Sequence, residues 1–271
     1  MLCVILNKDK GVLPMYKIFR IFFISFTMVF SIGGIGQAIT IQDILKELDK
    51  MMKMGTDFSA RVDITQQKAG QGVKKYESLY YRRDKDDAFL IVMTAPSSEA
   101  GNGYLRVGDN FWMYRRNTRT FQHINRDETI SGTDMRSGDL EMRKMSELYE
   151  GAKDENGKEI LSEDVLGGIP VYRFEIRAKV RDVTYPKQIY WVRKDNFLPL
   201  KCESYSLSGT LMQTDYYLSY TTVQGRYVVV RGMFVDEFEK GNRTIMEISG
   251  ISLQKLDDRI FTKAYLENLS R

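Results

Sequence analysis

The sequence predicts a mainly β protein: a strongly curved antiparallel sheet of about eleven strands, an open half-barrel with an N-terminal helix and short lid helices over its opening. Three observations predict it. From Phe58 onward apolar residues recur with a period of two. Gly, Asn and Asp turn signals separate these runs at regular intervals. A three-strand meander, Tyr104–Val107, Phe111–Tyr114 and Thr120–Ile124, then breaks into the polar, Gly-rich stretch Ile130–Leu140. A sheet interrupted in this way by a loop and a short helix is expected to have something covered by the insertion.

The elements follow in chain order. Lys17 and Arg20 precede the apolar run Ile21–Ile32, and Gly36-Gln37-Ala38 supplies small residues at the cleavage positions. This is the build of a secretory signal, with Met15 an alternative start. The run is shorter than the roughly 20 residues of a spanning helix. Cleavage near Ala38 is therefore expected, with an uncleaved anchor in the inner membrane as the alternative. No Cys follows the apolar run, so the leader is not that of a lipoprotein. Residues 39–271 are expected to form a single domain.

Ile41–Met54 has Ile41, Ile44, Leu45, Leu48, Met51 and Met52 on one helical face, and Gly55 ends it. Phe58–Thr65, Lys74–Arg82 and Ala88–Met93 are strands, the last apolar on both sides. After the meander, Leu140–Tyr149 has the pattern of a short helix with Asp139 as its N-cap. Strand signals resume at Glu159–Leu166 and Val171–Ile176. They continue through Lys187–Val192, Leu198–Ser206, Leu211–Tyr220, Tyr227–Phe238 and Thr244–Leu253, before a short terminal helix over Phe261–Leu269.

Charge and cysteine usage exclude several classes. The chain has 40 Lys and Arg against 36 Asp and Glu. Removing Lys8, Lys10, Lys17, Arg20 and Asp9 with the leader leaves 36 against 35, so a nucleic-acid partner has no electrostatic support. Cys3 lies in the leader, and Cys202 alone cannot form an intramolecular disulfide, so the fold must stand on its core. His123 is the single histidine, which excludes multi-His metal sites and leaves Cys202 without a local base. There is no nucleophile elbow, zinc-protease helix or phosphate loop. Asp134 and Asp139 form a carboxylate pair on paper, but capping explains them better: Asp139 starts a helix, and Asp134 bonds amides of its own turn. No cofactor and no enzymatic activity are expected.

What remains is 14 Met, 14 Phe, 16 Tyr and 2 Trp. Taken singly, each is best placed in a packed core. Taken together on a curved sheet, they suit an apolar cavity under a lid. Met135, Met142 and Met145 fit such a lid because Met adapts its shape, although the last two at i and i+3 equally suit ordinary helix packing.

Gly108-Asp109-Asn110-Phe111-Trp112-Met113-Tyr114, followed by Ser131-Gly132-Thr133-Asp134-Met135-Arg136-Ser137-Gly138-Asp139-Leu140, resembles the outer-membrane lipoprotein-sorting, LolA-like family of periplasmic carriers. That family has a Trp-x-Tyr strand and then a Gly-Ser-Asp-Phe-x-x-x-Asp-Leu loop. This chain departs from it at Thr133 and Met135. The resemblance runs from about Ile39 to the C-terminus. It implies a periplasmic monomer that binds acyl chains of lipoproteins, or phospholipid and fatty-acyl ligands, and meets membrane-bound loading and accepting proteins. The related stress-regulator fold makes an envelope sensor the alternative. On this basis the candidate cavity and lid residues are Leu90, Val92, Leu105, Trp112, Tyr114, Phe121, Met135, Leu140, Met142, Met145, Tyr172 and Phe174. Gly132, Asp134, Gly138 and Asp139 are the candidate hinge and cap.

Overall fold

The computed structural model describes residues 39–125, 127–130, 133–140 and 143–269. The leader, Gly132 and Met142 lie outside the described residues. Ile39–Arg271 is one compact unit. Every strand and every apolar cluster belongs to it, which is what an independently folding domain requires.

Helix α1 spans Ile41–Met52 and opens with a capping box: Thr40 Oγ1 accepts from Asp43 N at 3.1 Å, and Thr40 N donates to Asp43 Oδ2 at 3.2 Å. Ile41, Ile44, Leu45 and Leu48 are its buried stripe. Then come β1 (Asp57–Lys68), β2 (Gly72–Arg83), β3 (Ala88–Ala95), β4 (Gly103–Val107), β5 (Asn110–Arg115) and β6 (Thr120–His123). The insertion holds a 3-10 turn, Ser137–Leu140, and the one-turn helix α2, Met145–Leu148. Beyond it run β7 (Tyr149–Gly151), β8 (Leu161–Leu166), β9 (Ile169–Ala178), β10 (Lys187–Arg193) and β11 (Pro199–Tyr205). The long strands β12 (Leu211–Val223), β13 (Arg226–Asp236) and β14 (Arg243–Ser252) complete the sheet. A 3-10 turn, Asp258–Phe261, and helix α3, Lys263–Leu269, end the chain.

The fourteen strands form one antiparallel sheet in the order β6-β5-β4-β3-β2-β1-β14-β13-β12-β11-β10-β9-β7, with β8 also on β9. The first and last long strands pair at its centre, Ile64 opposite Met246. The edges β6 and β7 do not meet, so the sheet is open. Fourteen strands replace the expected eleven. The thirteen strand segments named from the sequence all form, and the added one is β7, whose three residues fall where a helix was expected to end.

The inner face of β9–β11 is closed by α1: Ile41, Ile44, Leu45 and Leu48 pack on Phe174, Ile176, Tyr190, Val192 and Cys202. The inner face of β3–β5 is closed by the insertion, with Ile124 and Ile130 against Phe89, Tyr104 and Phe111. The outer face of β3–β5 is closed by the C-terminal tail, with Ile260, Phe261 and Leu266 against Leu90, Val92, Leu105 and Tyr114. Buried Arg83 fastens that tail. It donates to Asp57 at 2.9 and 2.8 Å and to the Leu256 carbonyl at 2.6 Å, and its guanidinium lies 4.8 Å from the Phe261 ring.

Candidate functional site

Between the two inner-face covers, a cavity of about 440 Å³ remains over β1, β2 and β12–β14. Its floor carries Phe58, Tyr80, Tyr217, Tyr220, Phe234, Met246 and Ile248. Its roof is the end of α1 (Leu48, Met51, Met52) and the following Met54, joined by Met135, Leu140, Met145 and Leu148 from the insertion. Tyr, Phe and Met dominate, so the wall is mainly apolar, and tyrosine hydroxyls of the wall are used within it, Tyr220 donating to the Pro199 carbonyl at 2.6 Å and Tyr190 to Met145 Sδ at 3.7 Å. Burial pushes the Tyr190 and Tyr217 hydroxyls far up, which keeps them protonated.

Polar contacts tie the roof to the domain, and at its rim Lys179 Nζ donates to the Ser146 carbonyl at 3.0 Å and Arg143 Nη1 to the Asp182 carbonyl at 2.6 Å. Asp49 of α1 accepts from the backbone N–H of Met145 at 2.6 Å and of Ser146 at 3.2 Å, and from the Ser146 hydroxyl. It therefore supplies the start of α2 with acceptors that Lys144, at the N-cap position, does not provide. Gln42 Nε2 donates to the Ser146 carbonyl at 3.0 Å. Farther along, Asp134 N donates to Thr244 Oγ1 at 3.1 Å, and Thr244 Oγ1 lies 2.8 Å from Asp134 Oδ2, which ties the insertion to β14.

The insertion differs from its expected form in two respects. Asp139 caps no helix: its Oδ2 accepts from Arg136 N at 2.8 Å within the 3-10 turn, and α2 starts six residues later. Asp134 reaches across to Thr244 as well as shaping its own turn. Asp139 instead faces Asp215 of β12 in the cavity wall. Gln213 Nε2 donates to Asp215 Oδ1 at 2.7 Å, and Tyr185 donates to Gln213 Oε1 at 3.0 Å. Burial pushes the Asp139 carboxyl up to about 6, and burial with the neighbouring Asp139 charge pushes Asp215 well above the carboxylate range.

The candidate residues fall into three groups. Met135, Leu140, Met145, Gly138 and Asp139 line the cavity. Tyr172 and Phe174 lie in the packed cluster beneath α1, outside the cavity wall. Leu90, Val92, Leu105, Trp112, Tyr114 and Phe121 are on the outer face with the C-terminal tail, which corrects their assignment to the cavity. Register sets this face: Leu105 pairs with Trp112 and Leu90, and Tyr114 with Phe121, opposite in sense to Phe89, Ile91 and Phe111. The sequence reading missed Asp215, Tyr185, Gln188, Tyr217 and Tyr220. The alternation Gln213, Asp215, Tyr217 on β12 carried a signal, because it puts polar atoms on an inward face.

Cys202 is buried, and its thiol is pushed far up by burial and then by the Asp215 charge, so it is held protonated. His123 is exposed on edge strand β6, its ring 6.3 Å from that of Trp112. Among the described residues no group of three His, Cys, Asp or Glu side chains is placed to hold a metal ion. No described helix is long and apolar enough to cross a membrane.

A family model described as an uncharacterized protein matches residues 85–268. The chain belongs to that family. Its fold is that of the LolA superfamily. A LolA superfamily protein from Nitrosomonas europaea superimposes with a TM-score of 0.70 at 24% identity, over 84% of this chain and 100% of that one. A domain described as a candidate outer membrane lipoprotein-sorting protein, from Vibrio parahaemolyticus, gives 0.71 at 18% identity over 82% and 97%. A DUF1329 family protein from Desulfovibrio piger gives 0.71 at 20% identity over 83% and 97%. No curated protein matches the chain.

Proposed function

We propose that this protein is a periplasmic carrier that holds an acyl chain in the inner-face cavity and delivers it toward the outer membrane. The observation that supports this reading is the mainly apolar space of about 440 Å³ under a roof built from the end of α1 and the insertion. That volume lies within the roughly 300–1,000 Å³ of small-molecule sites. An exposed CH₂ costs about 0.8 kcal/mol, so a chain of roughly sixteen carbons carries on the order of 12 kcal/mol against crossing water alone. A carrier must bury that chain and still release it, and a roof of modest stability serves both demands.

The Vibrio neighbour's description as a lipoprotein-sorting domain favours an acylated lipoprotein as cargo over a phospholipid or free fatty acid. Loading and accepting partners would be membrane-bound proteins, and the carrier a monomer released by cleavage near Ala38. Binding is proposed rather than catalysis: the Cys202 thiol is held protonated, and the one imidazole, His123, stands on β6, away from the residues that line the cavity.

Native mass spectrometry after gentle purification tests the carrier reading. A one-to-one lipid adduct is expected. A stoichiometric protein partner without lipid would replace the carrier with an envelope sensor. N-terminal sequencing of the cell-derived protein should begin at or near Ile39; a retained leader would make it an inner-membrane protein and end the free-shuttle reading.

A further inference from the structure

The register brings four turns to one end of the sheet. Lys68 pairs with Gly72, Gln67 with Arg243, Gln213 with Asp236, Tyr205 with Leu211 and Lys187 with Arg177. The β1–β2, β13–β14, β11–β12 and β9–β10 turns therefore lie side by side. Ala69 N donates to Asn242 Oδ1 at 3.0 Å across the first two, and Glu237 N to the Met212 carbonyl at 3.0 Å across the next.

This end is unusual in what it shows to solvent. Leu207 at a turn tip is 91% exposed, Val73 60%, Phe238 56% and Val180 38%. Around them Lys74, Lys75, Lys179, Arg181, Lys240 and Arg243 are exposed. Only Asp182 and Glu239 are exposed acids on these turns, and both are engaged: Asp182 by Arg143 and Glu239 by Asn242 Nδ2 at 2.6 Å. Lys74, Lys75, Arg181 and Lys240 take part in no ion pair among the described residues. The strand-to-strand turns of the opposite end are mixed, with Asp86, Asp109 and Asp195 exposed beside Lys85 and Arg226, and with Lys50 and Lys53 of the α1 end against them.

We propose that the end bearing Leu207 and Phe238 docks on an anionic lipid bilayer, the two side chains entering the headgroup boundary and the surrounding Lys and Arg meeting anionic headgroups. Separate apolar tips above a basic skirt suit a soft, laterally continuous partner. A protein partner would call for a contiguous apolar patch. The exposed Lys and Arg of this end, four of them in no ion pair among the described residues, attract it to a negative surface. The proposal does not rest on the cavity's contents.

Co-sedimentation of Ile39–Arg271 with vesicles tests it, using phosphatidylcholine alone and phosphatidylcholine with about one-third phosphatidylglycerol. Binding to the anionic vesicles, falling with added salt, is expected. Leu207→Ser with Phe238→Ser should lower partitioning about tenfold or more. Lys74→Glu, Lys75→Glu and Lys240→Glu should each lower it about fivefold on anionic vesicles. Val165→Ser, 64% exposed next to the β8–β9 turn of the opposite end, should change nothing. Equal binding to both vesicle types, no binding to either, or rim variants that bind like the parent would overturn the proposal. Native mass spectra of the same variants should keep the lipid adduct, so a failed docking rim and a failed carrier reading give different results.

Discussion

The two faces of this sheet are covered by chemically similar residues with opposite results. On the outer face of β3–β5 the C-terminal tail leaves no space: a Cβ on Gly103 would stand 2.6 Å from Leu266 Cδ1 and 2.6 Å from the Ile91 carbonyl oxygen. On the inner face α1 and the insertion span β12–β14, β1 and β2 and leave about 440 Å³. The fastenings differ accordingly. Arg83 is held by two bonds to Asp57 of β1 in a buried setting, and the pair grips the tail at Leu256, whose carbonyl accepts from Arg83 at 2.6 Å and whose N–H donates to Asp57 Oδ2 at 2.7 Å. The roof is tied by Asp49, by Thr244 with Asp134, and at its rim by Lys179 and Arg143, and it carries in Asp139 a carboxyl that burial raises. A cover that packs contributes stability; one that spans contributes space and is easier to move.

The largest test of that contrast is Leu266→Ala. Leu266 is fully buried, so its truncation should cost about 2–5 kcal/mol, read by urea unfolding. Release of a bound fluorescent acyl probe should stay as in the parent. Faster release in step with lost stability would show that the two covers act as one unit.

Next comes pH. The Asp139 carboxyl is raised in the native state, so between about pH 4 and pH 6 the native protein binds more protons than the unfolded chain. Its stability contribution is present in acid and is lost as pH rises through the native value. The groups facing it are Arg136 on its own turn, Tyr185, and Gln213, Asp215 and Cys202 on the strands below. Asp139→Asn should therefore be more stable than the parent at pH 8, by roughly 2–3 kcal/mol, and equal to it near pH 4. In the parent, charging the pair should also loosen the roof and speed probe release above neutral pH. A melting-temperature difference of the same size at both pH values would mean that the carboxyl pair does not titrate this way.

Asp49→Ala is a smaller step. It removes the acceptor for three donors at the start of α2, worth about 1–2 kcal/mol by analogy with helix caps. Because α2 is roof, stopped-flow release should quicken about five- to tenfold while the sheet stays folded. Lowered melting with unchanged release would make α2 a fixed wall.

These residues also show how much the sequence disclosed. Period-two alternation located the long strands, and the i, i+3, i+4 stripe located α1, because those signals are local. The same alternation fits either face of a sheet buried on both sides. Thus Leu90, Val92 and Trp112 were expected in the cavity, while Phe89, Ile91 and Met113 are the ones on the inner side. Which face is hollow depends on the C-terminal tail, more than 140 residues beyond Trp112. Asp139 looked like a cap because an apolar stretch follows it, yet the acceptor that starts α2 comes from Asp49, 96 residues before Met145. Its partnership with Asp215 crosses from a loop to a distant strand, beyond the reach of any local pattern.

The smallest expected effect is an absence, and it separates the faces most cleanly. The chain has two tryptophans, Trp112 and Trp191. Lys263 of α3 lies 4.1 Å from the Trp112 ring centroid, and Lys201 and Arg173 lie 4.4 and 5.2 Å from that of Trp191. Both rings belong to clusters on the face away from the cavity, and neither side chain lines it. An acyl chain that fills the cavity should therefore leave tryptophan emission unchanged in intensity and wavelength. Tyr220→Trp places an indole in the wall, and its emission should shift on binding. A response from the parent protein would mean either that the ligand lies on the outer face or that its entry moves the C-terminal tail. Repeating the titration with Trp112→Phe then locates the response: a lost one assigns it to the outer face beneath the tail, and a retained one to the β10 strand beside Trp191.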